Sequence, residues 1–401
     1  MRLLIISHMP HHLRDGVVVG WGPTARELDQ LATRFTSVRH VACLHPEPAP
    51  ASDIPYTARN IELVPVPPSG ADGFLGKLDV LRTSPKYLAA ILRELPHADM
   101  VHVRAPAHIA LMAMLILSLR KRPTARWFKY AGNWQPDVLE SPSYIFQRWW
   151  LRRPWHRGVV TVNGDWPAQQ TWVRTFFNPS LEASDLERGR AAAATKQLTT
   201  PMRMVYVGRV ETAKGAGRAV EVLARLRQQG IDATLELIGD GDERPTIEAR
   251  AVALGVADRA QFVGWQSPSY VYQAFARAHV QLLPTAACEG WPKVLSEGMA
   301  YGVVPVAGNV SSIPQYVKQF ATGAALAPDD VDGFAAVLAS YARDPVKWAR
   351  ESANAVAATR WFTFDQYLSS IDSLLSDLGG PEHEAESGSS ARPADRPCAA
   401  A

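Results

Sequence analysis

The sequence is poor in cysteine. It contains three cysteines in 401 residues, Cys43, Cys288 and Cys398, which lie far apart and without the paired spacing of a zinc site. An odd number of scattered cysteines is typical of proteins of a reducing compartment. We therefore expect no disulfide, no zinc centre and a cytoplasmic location.

The chain also lacks a large net charge and a long hydrophobic run. Its formal net charge at pH 7 is +3, so overall charge gives no support for nucleic-acid binding. The longest apolar run, 109–119, is well short of the roughly 20 residues that span a bilayer, and it predicts a buried helix. The apolar run at 1–8 is too short for a signal peptide and predicts a buried first strand, so no export is expected.

Strand-like and helix-like segments alternate through both halves of the chain. Strands are predicted near residues 2–7, 38–44, 61–66, 100–103, 126–130 and 159–162, and then near 203–207, 234–238, 260–263, 280–283 and 303–306. This alternation is typical of doubly wound parallel sheets. The fold class expected is α/β, with two Rossmann-like domains facing an interdomain cleft in which ligands bind.

The domain boundaries follow from changes in this alternation. Residues 1–180 are predicted as the first domain and 201–360 as the second, with a linker at 181–200 where the alternation is lost. Residues 379–401 are rich in Gly, Pro, Ser, Ala and charge, with almost nothing to bury, so we predict a disordered tail.

The most informative segment runs from Glu289 to Gly302. Pro292 fits the first turn of a helix and Gly302 fits its end. The free N–H groups and the positive dipole end of this helix would face a phosphate. Glu297 would lie about 7 Å further along the axis, at about 1.5 Å per residue. This arrangement suits one ligand with a diphosphate, a ribose and a sugar.

Two cations follow a predicted strand of the second domain. Arg209 offers a planar fork of donors to phosphate oxygens and Lys214 a point charge. Taken alone they favour a solvated surface pair, but with the glutamate segment they indicate an anion site. Asp240-Gly241-Asp242 matches the D-x-D of metal-dependent transferases only superficially, because it follows a strand and predicts a glycine turn.

Near the amino terminus, Gly20-Trp21-Gly22 follows the first strand and precedes a helix predicted from about Ala25. A glycine-bearing loop between strand and helix lets backbone N–H groups approach a phosphate closely. The signal is weak by itself, since the G-x-G-x-x-G of dinucleotide-binding proteins is absent.

These motifs come in a recognisable order. Gly208-Arg209 with Lys214-Gly215 is followed by Ile238–Gly241, Phe262–Trp265 and Glu289–Gly302. In this order and approximate spacing, the second half resembles the donor domain of retaining glycosyltransferases of family 4, which have the GT-B fold. The first half contains 99–106 and 129–134, which are similar to acceptor-domain segments of that family.

The resemblance implies roles for individual residues. Arg209 and Lys214 would bind the donor diphosphate and stabilise the departing group, and Glu289 would contact hydroxyls of the transferred sugar. Glu297 would accept hydrogen bonds from the ribose. The donor-binding residues expected are Gly20, Trp21, Gly22, Gly208, Gly264, Trp265, Gly290, Trp291, Pro292, Lys293, Val294 and Glu297, and those expected on the acceptor side are His102, Arg104, Asn133 and Trp134. No metal and no cofactor would be needed, because the nucleotide sugar is a substrate.

The sequence departs from the family pattern at two positions. Ala131 stands where many members carry a histidine that assists on the acceptor side, and Gln315 stands where many carry an acid. The family also implies that the last helix, here 361–378, crosses back onto the first domain.

The acceptor side leaves two alternatives open. The segment 147–157 mixes tryptophans with arginines, which suits an anionic membrane surface or a lipid-linked acceptor. A helix that packs its tryptophans inward and leaves its arginines in solvent gives the same string.

Together these features favour a retaining, metal-independent glycosyltransferase of polysaccharide or glycoconjugate biosynthesis, located in the cytoplasm or at the inner face of the membrane. It would move a sugar from a nucleotide-diphosphate sugar to a glycan or lipid-linked acceptor. Two alternatives are a nucleotide-sugar 2-epimerase and a non-catalytic nucleotide-sugar-binding protein.

Overall fold

The computed structural model describes residues 1–69, 73–136, 140–287 and 289–378. Within these ranges the chain folds into two sheets of mainly parallel strands, each packed against helices. This is the α/β architecture that the alternation of segments predicts. The tail predicted at 379–401 lies outside the described residues, as do Cys288 and Cys398, whereas Cys43 is a free, buried cysteine.

The first domain is built on a sheet of nine strands in the described part of the chain. They are β1 (Arg2–Arg14), β2 (Val17–Trp21), β3 (Ser37–Leu44), β4 (Asp53–Pro55), β5 (Ile61–Val66), β6 (Met100–Ala105), β7 (Ala125–Tyr130), β8 (Val159–Val162) and β9 (Val173–Thr175). The parallel strands have the order β5-β3-β1-β6-β7-β8-β9. At the centre of this sheet, the side chains from Leu3 to Ile6 are at most 1% exposed, as expected of a parallel strand covered on both faces.

Helices of the first domain follow its strands. They are α1 (Gly22–Ala32), α2 (Gly73–Glu94), α3 (His108–Leu119), α4 (Pro142–Leu151) and α13 (Phe364–Asp377), with short 3-10 turns at Leu95–His97, Pro154–His156 and Thr359–Phe362. The last helix returns from the second domain and packs Tyr367, Ile371 and Leu374 into the core beneath α1 and β1. No helix in the described part of the chain combines the length and the apolar character needed to cross a membrane.

The start of the first domain differs from the sequence-based prediction. Strand β1 does not end near Ser7 but continues to Arg14 and turns into the antiparallel strand β2. Gly20 and Trp21 therefore belong to a strand, and helix α1 starts at Gly22 rather than near Ala25. A Cβ on Gly20 would lie 2.6 Å from the end of the Met9 side chain and 2.8 Å from the His11 ring, so a larger residue would require these side chains to move. The predicted phosphate-binding loop is not formed there.

The second domain has six strands in the described residues. They are β10 (Met202–Val207), β11 (Ala233–Ile238), β12 (Ala260–Gly264), β13 (Val280–Leu283), β14 (Val304–Gly308) and β15 (Ala324–Leu326), in the order β12-β11-β10-β13-β14-β15. Its helices are α6 (Ala216–Gln228), α7 (Arg244–Ala253), α8 (Pro268–Arg277), α9 (Lys293–Ala300), α10 (Ile313–Phe320), α11 (Val331–Arg343) and α12 (Pro345–Ala358). The strand order reverses between β10 and β13, which is where ligands of such sheets bind.

The segment predicted as a linker, 181–200, is more than a bare connection. It contains the helix α5 (Ala183–Ala194), whose first turn is held by a capping box between Glu182 and Asp185. This helix packs on α8 and α9, and a Cβ on Gly189 would lie 2.5 Å from the carbonyl oxygen of Ala300. The connection is thus fixed to the second domain.

Candidate active site

The crevice between β10 and β13 brings together the residues that the sequence analysis singled out in the second domain. Lys214 lies on the loop that follows β10, and Glu289 on the loop that follows β13. Because both strands are parallel, these loops meet at the same edge of the sheet. Lys214 Nζ lies 2.5 Å from Glu289 Oε1, and their side chains are 21% and 27% exposed.

A glycine makes this approach sterically feasible. Gly215 has a φ of +86°, and a Cβ there would lie 2.1 Å from the carbonyl oxygen of Pro284. No other residue fits so close to the loop after β13 in that conformation. Gly215 therefore sets Lys214 directly beside the loop that carries Glu289.

Arg209 lies at the mouth of the same crevice. Its side chain is 64% exposed, and its guanidinium contacts Glu211 Oε1 at 3.2 Å. Gly208, immediately before it, has its carbonyl oxygen packed so closely on Gly239 that a Cβ on Gly239 would lie 1.9 Å away. Gly239 in turn donates its N–H to the carbonyl oxygen of Gly264, so the ends of β10, β11 and β12 form one edge.

Helix α9 begins beside the ion pair. Pro292 occupies the N-cap, one position before the first helical turn where the sequence analysis placed it, and Gly302 ends the helix at a φ of +69° as expected. The N–H of Gly290 already donates to the carbonyl oxygen of Ala131 in the first domain, at 2.8 Å. A Cβ on Gly290 would lie 2.4 Å from Asn163 Nδ2. At this glycine the backbones of the two domains are in direct contact.

Glu297 lies within α9 and is turned toward the first domain. Burial raises the pKa of its carboxyl group to about 7, against the opposing pull of Arg26 and Lys293. Among the residues that the structure describes, no side chain donates a hydrogen bond to this carboxylate. It is available to a ligand that carries hydroxyl groups.

A buried charge cluster joins the domains next to α9. Glu27, on α1, has a side chain with 0% exposure and accepts from Arg104 at 2.7 Å, from Lys129 at 2.6 Å and from Lys293 at 2.9 Å. Although burial opposes ionisation, these cations hold the pKa of Glu27 well below its ordinary value. Burial also lowers the pKa of Lys129 to about 7, against the attraction of Glu27.

Lys293 belongs to the second domain and the other members of this cluster belong to the first. Its ammonium group also donates to the carbonyl oxygen of Pro23 at 2.7 Å. The sequence analysis named Arg104 and Lys293 but missed Glu27 and Lys129, because nothing in the sequence distinguishes a buried glutamate of α1 from a solvated one.

The three tryptophans expected to bind the donor differ in their exposure. Trp21 and Trp265 are 47% and 55% exposed, so both rings are open to a ligand. Trp291 is 3% exposed and stacks on Phe362 with ring centroids 4.9 Å apart. Its side chain is therefore a core element of the second domain, and only the backbone of this residue reaches the crevice, where Asn178 donates to its carbonyl oxygen.

Three of the four residues expected on the acceptor side are buried. His102 has 0% exposure and stacks on Trp127 at 3.6 Å, and Trp134 is 2% exposed. Neither ring is open to an acceptor, contrary to expectation. Asn133 is 8% exposed, and its Oδ1 accepts from the N–H of Gln135.

The two positions that depart from the family pattern both take part in contacts between the domains. Ala131 accepts from Gly290 through its carbonyl oxygen, and Gln315 Oε1 accepts from the N–H of Asp165 at 2.8 Å. An amide oxygen accepts the hydrogen bond from Asp165 as a carboxylate oxygen would, so this contact does not require an acid at position 315.

Carboxylates that resemble metal ligands are otherwise engaged or distant. Asp240 accepts from the N–H of Gly241 and pairs with Arg244, as the glycine-turn interpretation of this motif predicts. Among the described residues, one group of side chains has ligand atoms close enough to hold a metal ion, His12, His45 and Glu47. It lies on the hairpin side of the first domain and not at the Lys214–Glu289 pair.

Comparisons with known proteins agree with this geometry. Residues 190–359 match the family model described as "Glycosyl transferases group 1". A stretch of 227 residues is 31% identical to a glycogen synthase of Mycobacterium tuberculosis, covering 55% of this chain and 53% of that protein. The chain thus spans about half the length of the curated relatives it matches.

Two solved structures show the overall fold. Sucrose-phosphate synthase from Thermosynechococcus elongatus superimposes with a TM-score of 0.70 at 17% identity, over 94% of this chain and 99% of that one. The Anabaena protein HepE in complex with UDP and glucose superimposes with a TM-score of 0.65 at 18% identity, over 93% and 99% of the two chains. The molecule therefore has the two-domain GT-B fold that the motifs led us to expect.

Proposed function

We propose, from the premise that the second domain belongs to the glycosyl transferases group 1, that this chain is a retaining glycosyltransferase. It moves a sugar from a nucleotide-diphosphate sugar to a glycan or lipid-linked acceptor, in polysaccharide or glycoconjugate biosynthesis. The reaction needs no metal ion, because side-chain cations take up the charge of the departing diphosphate.

The ion pair between Lys214 and Glu289 carries this proposal. It lies at the reversal of strand order, where a donor nucleotide would be held, and it places one cation and one acceptor of hydrogen bonds 2.5 Å apart. When a donor enters, the ammonium group of Lys214 turns to the diphosphate oxygens, and Glu289 accepts hydrogen bonds from the sugar hydroxyls. Lys214 and Arg209 then stabilise the negative charge that develops on the leaving nucleoside diphosphate.

The position of Glu297 supports a ribose at the inner end of the crevice. Its side chain is partly buried, and no side chain of the described residues donates a hydrogen bond to its carboxylate, which leaves the carboxylate open to a ligand. Two neighbouring ribose hydroxyl groups supply such donors. The nucleotide would then extend from Glu297 past the start of α9 to Lys214.

The donor is best sought first among UDP-sugars. HepE has been solved in complex with UDP and glucose, and the motifs of the second domain follow the same fold. We expect the nucleotide that binds this chain to raise its melting temperature, because a ligand that binds the folded state stabilises it by mass action.

Turnover tests the proposal directly. The protein is incubated with UDP-sugars and other nucleotide sugars, with and without oligosaccharide and lipid-linked acceptors, and released nucleoside diphosphate and glycosylated product are measured. We expect both products to form together. Binding without release in any combination would establish a non-catalytic binding protein instead, and conversion of the free nucleotide sugar would establish an epimerase.

Three substitutions test the site. Lys214→Ala and Arg209→Ala should each lower kcat/KM by about 100-fold, the loss expected when a group that stabilises developing charge is removed. Glu289→Gln should lower transfer with little change in the affinity for free nucleoside diphosphate. Arg227→Ala is the matched control for Arg209, since its side chain is 53% exposed and lies in the last turn of α6, at the end of the helix away from Lys214. Normal kinetics in all three variants would show that the site has been placed wrongly.

Two further measurements separate the finer parts of the proposal. The anomeric configuration of the product, read by nuclear magnetic resonance, should equal that of the donor. Activity should persist when divalent cations are removed with a chelator. An inverted product or a loss of activity restored by added metal would overturn the corresponding part.

A further inference from the structure

The outer flank of the first domain exposes large hydrophobic side chains side by side. On helix α4 the sequence divides cleanly, since Gln147, Trp150 and Leu151 are buried whereas Ile145, Phe146 and Trp149 are 39–45% exposed. The structure thus combines the two alternatives that the sequence left open, because one tryptophan of this helix packs inward and its neighbour faces solvent. The exposed set is completed by Leu115, Leu119 and Trp155, at 45%, 88% and 50% exposure.

We call these six side chains the docking face, because α3 packs on both α4 and the turn at Pro154–His156. The ring of Trp149 lies 5.7 Å from Phe146 and 5.1 Å from Trp155, measured between centroids. The end of α3 is fixed beside them by the buried guanidinium of Arg126, which donates to the carbonyl oxygens of Leu117 and His156. Contiguous exposed apolar patches of this kind mark interaction sites.

The docking face is bordered by cations on both sides. Arg120, Lys121 and Arg122 follow α3, and Arg153 and Arg157 flank the turn after α4. All five are exposed, and Arg153 lies 5.7 Å above the ring of Trp149. Among the described residues none of these five cations forms an ion pair with a carboxylate. Glu140, at the start of this region, pairs instead with the buried Arg148.

We propose that the docking face binds the surface of a bilayer that contains anionic lipids. Tryptophan rings, which have an apolar body and a polar N–H, enter the boundary between headgroups and acyl chains, and the neighbouring phenylalanine and leucines add apolar surface. Unpaired arginines and lysines in the same surface bind lipid phosphates. A protein partner of equal fit would have to supply at least five carboxylates around an apolar centre, whereas an anionic bilayer offers both features at once.

The place of the docking face in the fold follows from the strand directions. Helices α3 and α4 start at the carboxyl edge of the first sheet and run back to its amino edge, where β7 and β8 begin. Leu119, Trp155 and the basic residues therefore lie at the edge away from the cleft, which leaves the cleft open when the face is bound. Lipid binding itself is independent of sugar transfer, so its failure would leave the proposed activity standing.

Vesicle binding tests this inference with the full chain. The protein is centrifuged with sucrose-loaded vesicles of phosphatidylcholine alone or with about one third phosphatidylglycerol, at low and at high salt. We expect at least roughly tenfold stronger binding to the anionic vesicles and a loss of most of this gain at high salt. Equal binding to both vesicle types, or binding to neither, would overturn the proposal.

Two sets of variants test whether the docking face is responsible. The double variant Trp149→Ala with Trp155→Ala removes the rings, and the triple variant Arg120→Gln, Lys121→Gln and Arg122→Gln removes charge. The triple variant should lower the partition coefficient at least roughly tenfold, since each basic residue near an anionic surface contributes roughly a fivefold factor. The double variant should lower the partition coefficient at both salt concentrations, because the rings contribute apolar contact and not charge.

The matched controls lie on the second domain. Trp265→Ala removes a ring that is 55% exposed, and Arg225→Gln with Arg227→Gln removes exposed charge from α6. We expect both to bind vesicles as the unchanged protein does. If the controls and the docking-face variants lost binding equally, general charge and not this face would attract the lipid. All of these side chains are exposed, so we expect every variant to fold, and melting curves check this.

Discussion

The buried cluster around Glu27 gives the most quantitative prediction. Substitution Glu27→Gln keeps the shape of the side chain and removes the charge that holds Arg104, Lys129 and Lys293 together. Loss of one partner of a buried ion pair costs about 3–5 kcal/mol, because the remaining charge is left without compensation. At pH 7 we expect a lower free energy of unfolding and a loosened start of helix α9, since Lys293 is its first residue.

The structure places the expected cost at the lower end of this range. Lys129, with a pKa of about 7, can give up its proton at little cost near neutral pH. Arg104 and Lys293 have side chains that are 12% and 13% exposed, so water can reach them in part. A loss of about 3 kcal/mol remains, which for a domain of this size lowers the melting temperature by roughly 6–12 °C.

Thermal unfolding followed by circular dichroism or calorimetry measures this effect. Glu62→Gln is the control, because Glu62 pairs with Arg39 through a side chain that is 70% exposed, and such pairs contribute about 0–1 kcal/mol. The contribution of Glu27 is present above its ordinary pKa and is lost as the pH falls through its lowered folded pKa. The difference in melting temperature between the unchanged protein and Glu27→Gln should therefore become smaller at acid pH. A melting temperature for Glu27→Gln equal to that of Glu62→Gln would refute the reasoning.

Three other predictions concern the crevice. Because burial raises the pKa of Glu297 to about 7 and the ribose hydroxyls prefer the carboxylate, affinity for nucleoside diphosphate should rise between pH 6 and 8. Calorimetric titration should show this rise, and Glu297→Gln should abolish it. Gly290→Ala would place a methyl group against Asn163 and Ala131, so it should open the domains, seen as an increased radius in X-ray scattering without loss of secondary structure. Gly215→Ala should destabilise the second domain by about 1–3 kcal/mol, because its φ is +86° and its Cβ would strike a backbone carbonyl group. An unchanged chemical denaturation midpoint would contradict this last expectation.

Much of the fold followed from the sequence because its signals are local. Apolar runs such as 159–162 and 280–283 predict strands and are strands, since a parallel strand buried on both faces consists of little else. The strands that were missed, such as β2 and β4, are short or at the edge, and their pairing depends on the turn after β1. Gly20 and Trp21 were consequently assigned to a loop.

The candidate site, like the fold, could be predicted from the sequence only in its local features. The residue types and spacing of Lys214, Glu289 and Glu297 follow from the sequence, because each is placed by a strand or helix next to it along the chain. Their proximity does not, since the contact between Lys214 and Glu289 depends on β10 and β13 being neighbours. The same holds for tryptophans, where composition alone cannot tell the buried Trp134 from the exposed Trp149.

By itself, then, the sequence determined two α/β domains, the motifs of the second domain and the chemistry those motifs can perform. Periodicity and turn residues act over a few positions, so they are readable in one dimension. Only the tertiary structure decided that Glu27 is buried among three cations of both domains, that Gly290 contacts Ala131 of the first domain, and that α3 and α4 expose hydrophobic residues on the same flank. Burial and charge pairing depend on which distant segments meet, because the free energy of a charge is set by its surroundings in space.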